Sequence, residues 1–469
     1  MPERSDGLVV GLSMGTTKTT MIVAKKDRRY PDSVQVIGFG NAPSSGISKG
    51  VITSVPNACN SVRRAFEEAQ SITGISADRL RSVTVAFNAQ EVKSESSHGM
   101  ITLGDRESRV EEKDLERVIK RAVYDLSRKG SMSSIHRIPT RYELDGVTVS
   151  DPLNMNGNKL DIWLQTVSVP MTYEQTVRNC VQTAGLEVKG LVLKPLASSL
   201  GAVYEEEMRL GCISICIGGG TTGIVLYRGG RAFRVMSIPI GGDHIKSDLA
   251  TVLHISFGEA EHLKKRIFTT SEDDLRREGI DVDLAYQIIF ARIEELFSDY
   301  IRIALAECAP QNYPGGIILS GGVSDTPGLE MMLGDILQMP VRKAEQPVYQ
   351  MPPGLDNAAY VSAAGILKYH VLTERDKYLF MSDTENFGSL DNQTQAKAQE
   401  KVREREQPEE EDPYDNENQR YEGYDGGYDS EGGDDGYGYD GGDYGEEGSR
   451  RRNFGEIMVR LADRFKKLF

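Results

Sequence analysis

No two of the five cysteines are spaced as a CxxC pair, and none stands at metal-ligand spacing from a histidine, so neither a zinc site nor a disulfide framework is indicated. Cys59, Cys180, Cys212, Cys216 and Cys308 read instead as buried thiols of a reducing compartment. No run approaches the ~18 apolar residues that a membrane-spanning helix needs. Nor does MPERSDGLVVGLSMG place a charged region ahead of a long apolar one, so the chain is expected to stay in the cytoplasm. His98, His136, His244, His254, His262 and His370 are scattered and read as structural. A surplus of basic residues is missing too. The net charge is −15, which argues against general nucleic-acid binding.

Glycine, in contrast, is plentiful and ordered. Residues 7–23, GLVVGLSMGTTKTTMIV, read as strand, Gly-Thr-Thr turn, strand, and residues 211–228, GCISICIGGGTTGIVLYR, repeat that design about two hundred residues later. A third turn, IILSGGV at 317–323, follows a buried strand and precedes a helical stretch at 328–337. Glycine reaches positive φ and brings no side chain into the way, so such turns let backbone N–H groups close around phosphate oxygens. Two hairpins facing each other across a cleft grip phosphates from both sides, while the third turn approaches the base and ribose. This chain resembles the actin-like ATPases in that arrangement. VLKPLASS at 192–199 and AAYVSAAGIL at 358–367 resemble the two interdomain helices, whose small residues let them cross closely beneath the cleft.

Other stretches resemble, within that superfamily, the bacterial cell-division FtsA family. SGISKGVI at 45–52 is similar to the turn after its early strands. HRIP at 136–139, Tyr142, LDG at 144–146 and DPLNMNGNKL at 151–160 follow its inserted subdomain in order. The residues independently permit an α+β module there, with strands at 83–87 and 162–169 around an amphipathic helix at 111–126. The expected fold is α/β: an actin-like two-domain fold with duplicated sheet-and-helix domains around a nucleotide cleft and an inserted SHS2-type subdomain. The first domain takes residues 7–85 and 169–200, the insert 86–168, the second domain 201–241 and 304–372, and its subdomain 242–303.

The resemblance implies carboxylates around the nucleotide, and this chain departs from it. Asp is usual in the family at the places of Ser13, Cys216 and Gly223, and Glu at the place of Lys194. A positioned acid or base contributes about 10²–10⁴ in rate, and carboxylates attract hydrated Mg²⁺. No catalytic residue and no metal ligand is therefore assigned. The phosphate cradle depends on backbone N–H groups and persists in Gly15, Thr16 and Thr17, with Lys18 beside them, and in Gly218, Gly219, Gly220, Thr221 and Thr222. Gly321 and Gly322 form the third turn. Glu261 and Lys264, three apart on one helix face, match the family's ribose-contacting pair or form a surface ion pair. ATP or ADP is the expected ligand, with Mg²⁺ weakly held, and binding without hydrolysis the expected behaviour.

Residues 373–449 lose apolar periodicity and become acidic and then repetitive in Gly, Tyr and Asp, the composition of a disordered linker. About 75 such residues span on the order of 50 Å. Regularly spaced tyrosines also permit a sticker-like role. The last twenty residues set Arg450, Arg451, Arg452, Arg460, Arg464, Lys466 and Lys467 against Glu456 and Asp463. At 100° per residue, Phe454, Ile457, Met458, Leu461, Phe465, Leu468 and Phe469 share a sector of ~120°. A core helix shows the same stripe. On a long acidic tether beside three arginines, however, it reads as an interfacial helix for an anionic membrane, where the FtsA family carries its membrane-targeting helix.

By resemblance the chain tethers filaments of the tubulin-like FtsZ to the cytoplasmic face of the inner membrane at the division site. Its partners are FtsZ through residues 242–303, further copies of itself, and later divisome proteins through the insert. A pseudo-ATPase scaffold for another client, and an ATP-dependent small-molecule kinase, are the alternatives.

Overall fold

In a computed structural model, the structure describes residues 7–381 apart from 28, 30–32, 105–106, 128–130, 309–312, 345–346 and 348. The acidic linker beyond Met381 and the amphipathic stripe of residues 454–469 lie outside the described residues.

Two five-stranded sheets are built to one plan. In the first, Leu8–Met14, Lys18–Lys26 and Val34–Pro43 run antiparallel in sequence, and Ser82–Phe87 and then Glu187–Leu193 add in parallel beside Leu8–Met14. In the second, Ile213–Ile217, Thr222–Arg228 and Arg231–Ile238 form the antiparallel part. Ile317–Ser320 and Val341–Lys343 form the parallel part beside Ile213–Ile217. The central strands are apolar almost throughout, Leu8–Met14 and Ile213–Ile217 each burying nearly every residue. That is the pattern of a sheet covered on both faces.

The insert is a four-stranded antiparallel sheet, ordered Val147–Val149, Met132–Leu144, Lys159–Pro170, Lys93–Thr102, with the helix Glu112–Ser127 against it. Leu115, Val118, Ile119 and Ala122 of that helix meet Tyr142, Leu144, Leu160, Ile162 and Leu164 of the sheet in a core of their own. The sequence reading gave the insert the strand at 83–87. That strand instead pairs with Leu8–Met14 and Glu187–Leu193 in the first sheet. An apolar run fixes a strand but not which sheet it joins. Residues 242–303 are helical, from Gly242–Val252 through Val282–Glu295 to a π-helical turn at Leu296–Ile301.

Two helices link the halves. Lys194–Ala202 leaves the last strand of the first sheet, and Val361–Arg375 follows the second domain. They cross at Gly201 and Gly365, where backbone meets backbone. A Cβ on Gly365 would overlap the Ala197 carbonyl oxygen and lie 2.6 Å from its carbon, and one on Gly201 would lie 2.7 Å from the Val361 carbonyl carbon.

The chain does not become a linker at 373 as its composition implies. The helix continues to Arg375, and residues 376–381 fold back onto the insert. Met381 exchanges backbone hydrogen bonds with Arg137, Lys377 pairs with Glu112 at 2.8 Å, and Phe380 stacks on Tyr369. Three large apolar side chains in a polar context, Tyr378, Phe380 and Met381, supply the anchors. Of the cysteines, Cys59, Cys180 and Cys212 are buried free thiols, while Cys216 and Cys308 keep partial exposure.

Candidate functional site

The three glycine turns open into one cavity of about 610 Å³ between the two sheets, a size suited to a small-molecule ligand. Gly15, Thr16, Thr17 and Lys18 line it from the first hairpin, Gly218, Gly219, Gly220 and Thr221 from the second, and Gly321 and Gly322 from the third turn. Both hairpins close tightly: the Gly15 N–H donates to the Lys18 carbonyl at 3.0 Å, and the Gly218 N–H to the Thr221 carbonyl at 2.9 Å. The turns also face each other. A Cβ on Gly219 would strike Thr17, and one on Gly220 would lie 2.5 Å from the Thr16 hydroxyl. At φ 96°, Gly321 needs to be glycine, and a side chain there would meet the Ile217 backbone.

Two of the expected residues stand apart from the cavity. Thr222 is fully buried and donates its hydroxyl to the Ile240 carbonyl at 2.8 Å, so it braces the hairpin instead of facing a ligand. Side chains alternate along a strand, and Gly223 takes the cavity side. Ser13 is buried behind the first turn, its hydroxyl 2.9 Å from that of Ser362 on the second linking helix.

Lys194, Cys216 and Gly223 do line the cavity. Cys216 and Gly223 are partners across the second hairpin. Gly223 lies against the first linking helix, where a Cβ would come within 3.0 Å of Pro195. Lys194 opens that helix, half-buried, with its ammonium beside Gly15 so closely that a methyl there would collide with it. Burial pushes the Lys194 pKa down, with Cys216 opposing. Lys18 lies with Nζ 3.3 Å above the Tyr360 ring, whose hydroxyl accepts from Asn41 Nδ2 at 2.8 Å. Its pKa falls to about 7, chiefly by desolvation and next by the Lys194 charge. Neither lysine has a carboxylate ion-pair partner among the described residues.

On the far wall Glu261 and Lys264 both line the cavity and bind each other at 2.6 Å, so the ion pair forms on the cavity wall. Burial pushes the Glu261 carboxyl up, but the hydrogen bonds and charges of Lys264 and Lys265 outweigh it and hold the pKa down. Lys264 Nζ also donates to the Gly242 carbonyl at 3.3 Å within the helical subdomain, and the Gly242 N–H donates to the Gly218 carbonyl at 2.9 Å, tying that subdomain to the second turn.

Several residues of the site escaped the sequence reading, Asn88, Tyr360, Ser362 and Asp325 among them. Asn88 donates to the Thr221 hydroxyl at 2.8 Å and accepts from Ser237 at 3.1 Å, stitching the first domain to the second hairpin. Tyr360, Ser362 and Asp325 come from segments remote in sequence from the hairpins, and only the fold brings them near. A glycine turn leaves a mark in the sequence; these side chains leave none. Away from the cavity, His136 is a buried acceptor for the Leu193 N–H at 3.0 Å, held neutral by burial with its pKa near 3.

Three glycine turns converging on one cavity, closely opposed where only glycine fits, and two lysines without carboxylate partners among the described residues fit a nucleotide phosphate chain. A divalent metal does not fit. Oxygen ligands are what Mg²⁺ requires, but where the resemblance implies carboxylates the cavity holds an ammonium, a thiol and a glycine, and its two carboxylates, Asp325 and Glu261, are paired with lysines. Among the described residues no three His, Cys, Asp or Glu side chains gather as a metal site.

Comparison with known proteins agrees with this geometry. The family model "Cell division protein FtsA" matches residues 214–365, and "SHS2 domain inserted in FTSA" matches residues 89–168. Cell division protein FtsA of Enterococcus hirae is 31% identical over 384 residues, 77% of this chain and 83% of the relative. That of Agrobacterium fabrum is 30% identical over 390 residues, 77% of this chain and 86% of the relative. Among solved structures, the PilM-PilN type IV pilus biogenesis complex aligns with a TM-score of 0.57 at 17% identity, covering 77% of this chain and 98% of that one, which shows a shared fold. With its duplicated actin-like halves and inserted SHS2 domain, the chain belongs to the FtsA family of cell-division proteins.

Proposed function

We propose that this chain is a membrane tether of the division machinery: it binds adenine nucleotide without appreciable hydrolysis, assembles into actin-like filaments, and holds FtsZ filaments against the cytoplasmic face of the inner membrane. The observation that carries this reading is the family match, which spans the inserted domain as well as both halves of the cleft. The site supports the scaffold part of it. The glycine turns are retained while Ser13, Lys194, Cys216 and Gly223 stand where the resemblance implies carboxylates, so no carboxylate stands at those four positions to orient an attacking water.

Two surfaces support the partner assignments. The helical subdomain exposes Val252, Phe257, Tyr300 and Ile303, apolar side chains that a protein partner would cover and that favour it as the FtsZ-facing part. The insert exposes Met100, Tyr124, Val147 and Met155, which favours contacts with the next subunit or with later divisome proteins. Membrane attachment rests on the stripe of Phe454, Ile457, Met458, Leu461, Phe465, Leu468 and Phe469, with Arg450, Arg451, Arg452, Lys466 and Lys467 around it.

The test is co-sedimentation of FtsZ polymers with anionic vesicles, with and without the full chain. FtsZ is expected in the vesicle fraction only when the chain is present. FtsZ left in the supernatant, with the chain itself on the vesicles, would replace FtsZ with another client.

A further inference from the structure

Three features of the cavity concern how the phosphate chain of the bound nucleotide is neutralised. Lys194 projects from the first residue of its helix to the first phosphate turn, and its ammonium occupies space that only a glycine at position 15 leaves open. Lys18 arrives from the other strand of that hairpin, near enough for the Lys194 charge to act on it. The two carboxylates that line the cavity are already engaged elsewhere. Asp325 pairs with Lys343 at 2.7 Å, and Glu261 with Lys264 and Lys265 at 2.6 and 3.1 Å.

We propose that the Lys194 ammonium, with Lys18 beside it, takes the place of the divalent cation in this cleft, so that the chain binds a nucleoside di- or triphosphate as the metal-free anion. The inference rests on the reading of the cavity as a nucleotide site and adds the charge state of the ligand.

The electrostatics run in one direction. Two like charges sharing a partly desolvated cavity repel each other, and an incoming phosphate chain turns that repulsion into attraction. A hydrated divalent cation entering the same space meets two ammonium groups, and among the described residues the carboxylates that line the cavity, Asp325 and Glu261, are already paired with lysines. It would have to displace Lys194 from Gly15, and the lysine stem, rooted at the start of a helix whose next residues are buried, has little room to retreat. Unlike a metal ion, an ammonium accepts no lone pair from water and so generates no nucleophile. One substitution therefore accounts both for retention of the phosphate site and for loss of the need for Mg²⁺. The thiol of Cys216, which faces the same lysines, coordinates soft metals and is a poor ligand for Mg²⁺.

The test is calorimetric titration of the full chain with ATP and with ADP, once in EDTA and once in millimolar Mg²⁺. Affinity in EDTA is expected to equal or exceed that in Mg²⁺. Lys194→Gln is expected to weaken binding in EDTA by about tenfold to a hundredfold, the usual loss when a hydrogen bond to a charged group goes. Lys194→Glu is expected to bind only when Mg²⁺ is present. Binding by the unaltered chain that weakens tenfold or more on removing Mg²⁺ overturns the proposal while leaving the nucleotide site intact. Full affinity of Lys194→Gln in EDTA overturns it as well. Heat in neither condition overturns the nucleotide site itself and the proposal with it. The comparison on the unaltered chain needs no variant to fold, and thermal unfolding of each variant reports whether its own result is to be read.

Discussion

Replacing Leu461 and Phe465 with glutamate is expected to lower affinity for anionic vesicles by about a thousandfold and to leave the folded body unchanged. Both residues lie near the centre of the apolar sector that runs from Phe454 to Phe469. Each contributes on the order of 1 kcal/mol when half-buried at the interface, and each new carboxylate forfeits about another 1 kcal/mol against the anionic surface. The sum, about 4 kcal/mol, is close to three decades in affinity. On the proposed reading, a helix of about sixteen residues, marginal alone in water, would meet its ordering cost on the bilayer, and a single tail would bind weakly. Polymerised copies would present many tails at once and gain about 10²–10⁴ in avidity without any new contact, which would couple assembly to attachment. Vesicle co-sedimentation across salt and anionic-lipid content measures this. If the double variant sediments like its parent, the stripe docks on protein instead.

The second large effect falls on the crossing of the linking helices. Gly365→Val is expected to destabilise the chain by at least ~3 kcal/mol, at the upper end of overpacking costs, because the obstacle is the Ala197 carbonyl of a helix and not a side chain that can rotate away. At about 2.1 cal/mol/K of unfolding entropy per residue, a folded body of roughly 360 residues loses roughly 4 °C in melting temperature for such a change. Gly74→Val, whose glycine meets no atom within 4 Å, is the control for a change that adds no crowding, although its positive φ brings a strain cost of its own. A thermal scan showing Gly365→Val melting with the parent would mean that the helices do not cross at this point.

How much of this was legible in the sequence depended on how local the physics was. The phosphate turns declare themselves because tight reversal and close approach admit only glycine, and the two hairpins repeat the same short pattern. The two linking helices came from the resemblance at 192–199 and 358–367; the structure runs them over Lys194–Ala202 and Val361–Arg375 and brings them together at Gly201 and Gly365, the first of these beyond the stretch singled out. The insert's helix announced itself by its stripe, and the structure runs it over Glu112–Ser127 against the expected 111–126. What failed was non-local. The strand at 83–87 was given to the wrong sheet because pairing is a property of two segments. The ordered chain was ended too early because Tyr378, Phe380 and Met381 are single anchors that a composition window averages away. Thr222 was counted with the ligand-facing residues although strand alternation turns it inward and leaves Gly223 on the cavity side. Asn88 and Ser362 carry no motif, and their parts follow from Thr221 and Ser13, the residues they meet.

The central claim is that this cleft holds a nucleotide and does not consume it. Purified full-length chain, titrated with ATP and then followed for phosphate release at saturation, tests it most directly. The account predicts saturable binding with release no faster than uncatalysed hydrolysis, in the presence or absence of vesicles that let the chain assemble. Sustained turnover abolished by changing Lys194 or Cys216 would contradict it, since a group in this cavity would then be performing the chemistry that the missing carboxylates leave undone.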